Sequence, residues 1–151
     1  MNITAKQIIK TATINAPLNE VWHSWTSSEG ITAFMGVPAN VKLERGGPFE
    51  LYFDANGASG SRGSEGCTII SYVPNEMLSF TWNAPPTIPY VRNHEYKTWV
   101  TLFFSETAAG TYLRLVHTGW PEGEEWDKTY KYFDNAWGNV LKVLVARWEK
   151  N

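Results

Sequence analysis

Cysteine and histidine are scarce in this sequence, which holds one Cys, Cys67, and three His. A single cysteine cannot form an internal disulfide, so nothing predicts a disulfide-stapled scaffold. The histidines are scattered, and their spacing does not match a metal site. The sequence also has no GxSxG nucleophile elbow and no GK[ST] phosphate loop. We therefore expect neither a metal nor a cofactor.

Charge of one sign is also lacking. The formal net charge is −2, without a long acidic or basic run, whereas a surface that binds duplex nucleic acid needs a basic face. No segment approaches the roughly 20 apolar residues of a membrane span. The N-terminus lacks the apolar stretch of a signal peptide. These absences predict a soluble cytoplasmic protein with no nucleic-acid partner.

Aromatic residues, by contrast, are abundant: the 151 residues include eight Trp, seven Tyr and seven Phe. The length suits one domain, residues 1–151, with one core. So many rings indicate either an aromatic-rich core or a cavity walled by rings, because large rigid rings leave gaps that smaller side chains must fill. Composition alone leaves both possibilities open.

The first third of the chain predicts a strand followed by two short helices. The segment "QIIKTATI" (7–14) is rich in β-branched residues, as strands are. Pro17 then suits a first helical position. The residues after it place four apolar side chains on one helical stripe: Leu18, Val21, Trp22 and Trp25. The segment "SSEGITAFM" predicts a second short helix that ends near Gly36.

From Val41 the apolar residues recur with the period of two that is typical of strands. The strand-like segments are "FELYF", "CTIISYV", "MLSFTW", "TWVTLFF" and "TYLRLVH". The first would place Phe49, Leu51 and Phe53 on one face, and the last would place His117 on the face of two leucines. Turn-forming segments such as "RGGP", "VPNE" and "ETAAG" separate them. Short connections and alternating faces predict an antiparallel meander.

The last third predicts one long helix. Apolar residues recur every three or four positions from Trp126 to Trp148, about six turns or roughly 35 Å. Acidic residues lie near its start, and Lys142, Arg147 and Lys150 lie near its end, where they complement the helix dipole. A helix this long and aromatic needs a broad apolar surface, which only the sheet offers. We therefore predict an α+β fold in which a curved antiparallel sheet wraps the C-terminal helix.

Several of these segments resemble, in order, successive motifs of the family like the activator of the heat-shock protein 90 ATPase. They are "INAPLNEVWHSWT", "GGPFEL", "VPNEMLSFTW", "TLFFSETAAGTYLRLVHTGW" and "AWGNVLKVL", and the similarity runs from about Gln7 to Trp148. The segments "WNAPPTIPYVRN" and "GWPEGEEWDKTYKYFDNAW" further resemble stand-alone bacterial members, which generally have no assigned activity. That family belongs to the START-like, birch-pollen-allergen-like superfamily.

The resemblance implies the helix-grip (START-like) fold, which in various relatives encloses a cavity for lipids, sterols, hormones or polyketides. A minority of relatives, the polyketide cyclases and aromatases, perform chemistry in that cavity. In the namesake co-chaperone the matching domain contacts the chaperone instead. Nothing in the sequence resembles that protein's separate N-terminal domain, so we do not expect a chaperone-activating role. A contact with a chaperone is therefore possible but has no second domain to support it.

His117 is the residue whose role separates these possibilities. On the alternating face it would point toward the long helix, where a buried imidazole needs hydrogen-bond partners. It is a weak candidate for a catalytic acid or base, since no Asp or Glu on its own strand could orient it. It could instead be a polar contact at a cavity mouth or a purely structural histidine.

We predict that the protein binds a small hydrophobic or aromatic ligand in an internal pocket between the sheet and the C-terminal helix. The residues favour binding over catalysis. The predicted ligand contacts are Phe34, Trp82, Leu102, Leu115, His117, Phe133 and Trp137. One alternative is a cyclase- or hydrolase-type enzyme that uses His117. Another is a chaperone-associated interaction domain, and homodimerisation is compatible with either because Tyr90 or Trp99 could pair.

Two further features are predicted to be structural. Cys67 lies in an apolar strand and reads as a small buried hydrophobe rather than a nucleophile. The glycine-rich segment "GASGSRGSEG" (57–66) reads as a long mobile hairpin loop in which Arg62 could place a charge. The sequence does not indicate what that charge faces.

Overall fold

The computed structural model describes residues 1–149 and confirms the predicted α+β helix-grip architecture. Lys150 and Asn151, the end of the predicted domain, lie outside the described residues. The elements along the chain are β1 (Ile8–Ile14), α1 (Leu18–Thr26), α2 (Ser28–Met35), β2 (Ala39–Val41), β3 (Phe49–Leu51), β4 (Ile69–Val73), β5 (Met77–Trp82), α3 (Pro89–Arg92), β6 (Thr98–Thr107), β7 (Gly110–Thr118) and α4 (Glu124–Arg147).

The main sheet has five antiparallel strands in the order β1-β7-β6-β5-β4. The last four of these, from β4 to β7, form the predicted meander, and β1 adds to its far side next to β7. Successive side chains of a strand point to opposite faces of the sheet. In β7, Leu113, Leu115 and His117 are fully buried on one face, whereas Tyr112 is 36% exposed on the other. One face of the sheet is therefore available for the helices.

Helix α4 fills that face. It has 24 residues, about 36 Å at 1.5 Å per residue. Its buried side chains recur every three or four positions: Trp126, Thr129, Phe133, Trp137, Leu141 and Leu144. This is the predicted spacing, except that Thr129 is buried where Tyr130 was predicted, and the helix ends one residue before Trp148. Glu124, Glu125 and Asp127 lie in its first turn, where they complement the helix dipole. The helix buries its apolar stripe against the concave side of the sheet.

Helices α1 and α2 close one end of the core. Trp22 and Trp25 of α1 are buried, and Trp22 meets Phe104 of β6 edge-on, with ring centroids 5.2 Å apart. Ser27 caps α2 by accepting a hydrogen bond from the Gly30 amide. The left-handed backbone at Gly36 (φ 73°) ends α2 at the position that the sequence predicts.

Two local predictions were wrong. The segment predicted as one strand, "FELYF", ends as a strand at Leu51, and Phe53 leaves the sheet to become 52% exposed. Strand β3 pairs only with β2, in a separate two-stranded sheet, and this pairing ends at Leu51. Phe53 therefore lies beyond the paired strand, and the face shared by Phe49 and Leu51 does not extend to it. The segment after Trp82 that holds Pro85, Pro86 and Pro89 was predicted to be a loop, but it contains a helical turn, α3, which Pro89 begins.

Candidate functional site

Three of the predicted ligand contacts, Trp82, Phe133 and Trp137, lie together where β5 ends against α4. Trp82 and Phe133 line a cavity of about 310 Å³. An adjoining cavity of about 120 Å³ shares both of these residues and adds Trp137. Phe53 and Tyr132 line both parts as well. We call this combined space the aromatic cleft.

The Trp82 ring meets the other rings of the aromatic cleft at edge-on or tilted angles. The Trp82 ring centroid lies 5.2 Å from that of Trp137 and 6.5 Å from those of Phe133 and Phe53. Such geometries favour the interaction between the positive edge of one ring and the negative face of another. Phe53 and Tyr132 are 52% and 48% exposed. The space is therefore an open cleft beside α4 rather than the enclosed internal pocket that we predicted.

Polar groups border the opposite side of the cleft. They come from the connection between β3 and β4 and from the segment that follows β5: Asp54, Ser61, Arg62, Asn83, Thr87 and Arg92. The Arg62 Nε donates to the Gly57 carbonyl at 3.0 Å. The Asn83 side-chain amide donates to the Gly63 carbonyl at 3.2 Å. The cleft thus combines rings from α4, β5 and the β3–β4 connection with polar groups of the two loops.

Arg92 joins those two loops. Its guanidinium donates to the Ala84 carbonyl at 2.6 Å and to the Gly60 carbonyl at 2.7 Å. It also pairs with the Glu65 carboxylate at 3.2 Å, with its own side chain 7% exposed. A planar guanidinium with five N–H donors suits this simultaneous bridging. Arg92 therefore holds the glycine-rich loop against the segment that follows β5.

Glu65 organises the glycine-rich loop from within. Its carboxylate accepts hydrogen bonds from the backbone amides of Gly60, Arg62 and Gly63 at 2.7–3.2 Å. Burial raises the pKa of this carboxyl, but the hydrogen bonds from these amides outweigh burial and leave the pKa below its ordinary value. The glycine-rich loop, which was predicted to be mobile, is therefore hydrogen-bonded by the Glu65 carboxylate from within the loop and by the Arg92 guanidinium from outside it.

His117 lies outside the walls of the aromatic cleft, fully buried between β6 and α4. The indole N–H of Trp137 donates to His117 Nδ1 at 2.9 Å, and His117 Nε2 lies 2.7 Å from Thr98 Oγ1. Because an indole nitrogen can only donate, Nδ1 must be unprotonated. The neutral ring therefore carries its proton on Nε2 and donates it to Thr98.

These contacts give His117 a structural environment. Burial lowers its pKa to about 3. Its ring packs 4.4 Å from that of Trp120, whose indole nitrogen donates to the His117 carbonyl at 3.0 Å. Protonation would place a second donor opposite the Trp137 N–H. The side chain links two strands to α4, and no carboxylate of residues 1–149 hydrogen-bonds with it.

The remaining predicted contacts also lie away from the cleft. Leu102 and Leu115 are fully buried beneath α4, and Phe34 packs on Trp25 with ring centroids 5.1 Å apart. None of the three lines the aromatic cleft. Alternation and helical spacing identify apolar residues that face inward, but they do not distinguish a core position from a cavity wall. That distinction depends on where the sheet and α4 separate.

Cys67 is buried, and burial raises the pKa of its thiol to about 12, which disfavours the nucleophilic thiolate. Within residues 1–149, no three side chains among His, Cys, Asp and Glu are grouped so that they could hold a metal ion.

Sequence reasoning missed Phe53, Tyr132, Glu65 and Arg92 as parts of the site. Phe53 was predicted to share a strand face with Phe49 and Leu51, and Tyr132 lies off the apolar stripe of α4. Glu65 and Arg92 pair across 27 positions of sequence, which no local pattern reveals. For these four residues, the sequence offered only indirect signals: the prolines that follow Trp82 and the unexplained charge of Arg62.

Solved structures share this fold. Protein MLL2253 from Mesorhizobium loti matches with a TM-score of 0.73 at 21% identity, covering 94% of this chain and 96% of that one. CalU16 from Micromonospora echinospora matches with a TM-score of 0.68 at 23% identity, covering 95% and 76%. An Aha1 dimer from Colwellia psychrerythraea matches with a TM-score of 0.65 at 15% identity, covering 95% and 96%. At these identities the likeness establishes the fold alone.

None of the helices within residues 1–149 has the length and apolar character needed to cross a bilayer. Among curated proteins, none matches the sequence. A sequence profile described as Activator of Hsp90 ATPase homolog 1-like protein matches residues 15–149, nearly the whole chain. The chain therefore belongs to the family of activator of Hsp90 ATPase homolog 1-like proteins, as its motifs predicted.

Proposed function

We propose that this protein binds a small aromatic or hydrophobic molecule in the aromatic cleft. The observation that carries the proposal is the ring-lined space of about 310 Å³ between Trp82, Phe133 and the two loops. Ligand sites typically occupy about 300–1,000 Å³ and combine apolar walls with a few polar groups. A volume at the low end of that range suits a ligand of one or two fused rings.

The Trp82 indole supports a role beyond packing. Its N–H is buried and has no hydrogen-bond partner within residues 1–149. A buried donor left unpaired costs about 1–3 kcal/mol. A ligand acceptor that reached this nitrogen as the cleft adjusted would remove that penalty. Trp82 would then supply both ring contact and one directional bond.

Catalysis by His117 is not part of the proposal, because the imidazole has both nitrogens engaged and lies behind the cleft walls. The chaperone-associated role stays an alternative prediction. Homodimerisation also stays a prediction for this chain, although one relative of the same fold is described as a dimer.

The binding proposal can be tested with the two half-exposed rings of the cleft. Phe53→Ala and Tyr132→Ala remove cleft surface without opening the core. Each should weaken binding of aromatic probes by about 5- to 30-fold, equivalent to about 1–2 kcal/mol. The assay follows tryptophan fluorescence and melting temperature with a panel of indoles, flavonoids, sterols and fatty acids.

Matched controls come from the outer face of the sheet. Phe103→Ala and Tyr112→Ala remove the same residue types at 42% and 36% exposure, away from the cleft. Both controls should bind the probes as the wild type does. A panel without any binder, or equal losses in the cleft and control variants, would exclude the aromatic cleft as the binding site.

A further inference from the structure

The main sheet ends on β4 at one side and on β1 at the other, and only the β4 edge is protected. Strand β4 has five residues and a register shift between Ile69 and Ser71. The backbone of Ile69 also exchanges hydrogen bonds of 2.8 Å with Gly46 and Gly47. Short length, an irregular register and a covering loop are ways in which proteins keep an edge from pairing with another chain.

Strand β1 has none of these protections. Its seven residues pair with β7 in continuous register from Ile8↔His117 to Ile14↔Thr111. It contains neither proline nor glycine, and its one charged side chain, Lys10, pairs with Asp134 of α4 at 3.0 Å. Within the described residues, no backbone hydrogen bond reaches the free side of β1 between Ile8 and Thr13. The edge is open for another strand.

A groove runs beside this open edge. The first half of α4 is tied to the β1 side of the fold, because Asp127 pairs with Lys6 at 2.7 Å and the Tyr130 hydroxyl donates to the Gln7 carbonyl at 3.0 Å. Beyond these ties and the Lys10–Asp134 pair, a cavity of about 570 Å³ separates residues 10–13 of β1 from residues 138–149. The groove therefore lies against the free strand edge.

Gly138 lines this groove in the middle of α4. Glycine is a poor residue for a helix interior, and a glycine there usually makes room for a close neighbour. A Cβ added at Gly138 would have no atom of the protein within 4 Å. The packing of the single chain does not require this glycine, so the space beside it is available to something outside the chain.

The sequence of β1 is close to its own mirror image about Thr11. Ile8 corresponds to Ile14, the β-branched Ile9 to Thr13, and Lys10 to Ala12. A twofold interface must be complementary to itself. Antiparallel pairing centred on Thr11 would set Thr11 opposite Thr11, a favourable cross-strand pair, and would place no lysine opposite a lysine.

We propose that β1 pairs antiparallel with β1 of a second copy about a twofold axis through Thr11, which joins the two sheets into one. The inward-facing side chains of the added strand, Ala12 among them, enter the groove beside Gly138. The groove also holds charges of both signs, Lys142 and Glu149, so it does not favour a peptide of one charge. The partner is therefore a second copy rather than a peptide of one charge.

Sedimentation velocity over a range of concentrations tests this proposal on the full chain. Thr11→Lys and Thr11→Glu each set two like charges opposite one another at the axis, so each should raise the dimer dissociation constant by about two- to fivefold. A one-to-one mixture of the two variants should restore the dimer, because opposite charges then meet. Gly138→Leu should also weaken the dimer by filling the groove, while circular dichroism shows a folded monomer.

Ser105→Lys is the matched control. Ser105 is exposed on the outer face of an interior strand, β6, so a lysine there should leave dimerisation unchanged. A wild type that stays monomeric at all concentrations would overturn the proposal. A dimer that survives Thr11→Lys or Gly138→Leu, or a mixture that fails to rescue it, would do so as well.

Discussion

The buried histidine makes the stability of this protein depend on pH in a way that can be worked out. His117 is neutral in the folded protein because burial lowers its pKa to about 3, against 6.5 for an exposed histidine. Between these values the unfolded chain binds a proton that the folded chain does not. The free energy of unfolding therefore falls as pH drops through this interval. Above pH 6.5 this contribution is complete.

The magnitude follows from the width of the interval. Each pH unit contributes about 1.4 kcal/mol, so a fall from 6.5 to 3 costs about 5 kcal/mol of stability from this one group. That is a large share of the roughly 5–15 kcal/mol that stabilises a typical domain. Acid should therefore unfold this protein well before all of its carboxylates are protonated.

The perturbation that isolates this effect is His117→Gln, whose amide can still accept from Trp137 and donate to Thr98 but cannot ionise. The variant should be less stable than the wild type near neutral pH, because it loses the ring contacts with Trp120 and Phe133. The difference should shrink by about 1.4 kcal/mol for each pH unit below 6.5. Urea denaturation followed by tryptophan fluorescence, repeated at several pH values, measures both quantities.

A second variant separates burial from the hydrogen bond. Trp137→Phe removes the N–H that faces His117 Nδ1, so the pKa of His117 should rise while the ring stays buried. Nuclear magnetic resonance of the imidazole Cε1 proton reports that titration directly. Parallel stability curves for the wild type and His117→Gln, or a native imidazole that titrates near its ordinary pKa, would refute the reasoning.

Three further predictions concern the loops and the thiol. Arg92→Met should lower the free energy of unfolding by about 2–4 kcal/mol in urea melts, because it removes the bridge between the loops and leaves Glu65 without its ion pair. Gly63→Ala should lower the melting temperature sharply, since its Cβ would lie 1.8 Å from the Leu51 carbonyl oxygen. A melting curve like that of the wild type would show that the loop can move aside. Cys67 should resist labelling by iodoacetamide at about pH 8 until urea unfolds the chain, because burial raises the pKa of its thiol to about 12. Mass spectrometry measures the labelling, and a labelled folded protein would contradict the burial of the thiol.

Much of the fold was predictable because its signals are local. The apolar stripe of α4 repeats over 24 residues, and β6 and β7 alternate long enough to identify their inward faces. The motifs along the chain also led to the family that the profile match confirms. Predictions failed where an element was short, as in β3 and α3, since three or four residues carry too little periodicity to set a boundary.

The aromatic cleft was only partly predictable. Trp82, Phe133 and Trp137 were expected near a ligand because they are large rings on inward faces, and they do lie together. Leu102 and Leu115 carry the same local signal but lie deep beneath α4. Side-chain periodicity reports the direction in which a residue points, whereas a cleft requires that two surfaces separate at that point.

The sequence by itself therefore determined the elements, their inward faces and the family, since each depends on residues close together in the chain. The tertiary structure decided which inward residues became cleft wall and which became core. It also gave Arg92 its partners across about 30 positions and gave His117 the burial that keeps it neutral. These properties come from groups that only folding brings into hydrogen-bond distance, where burial strengthens their effect on one another.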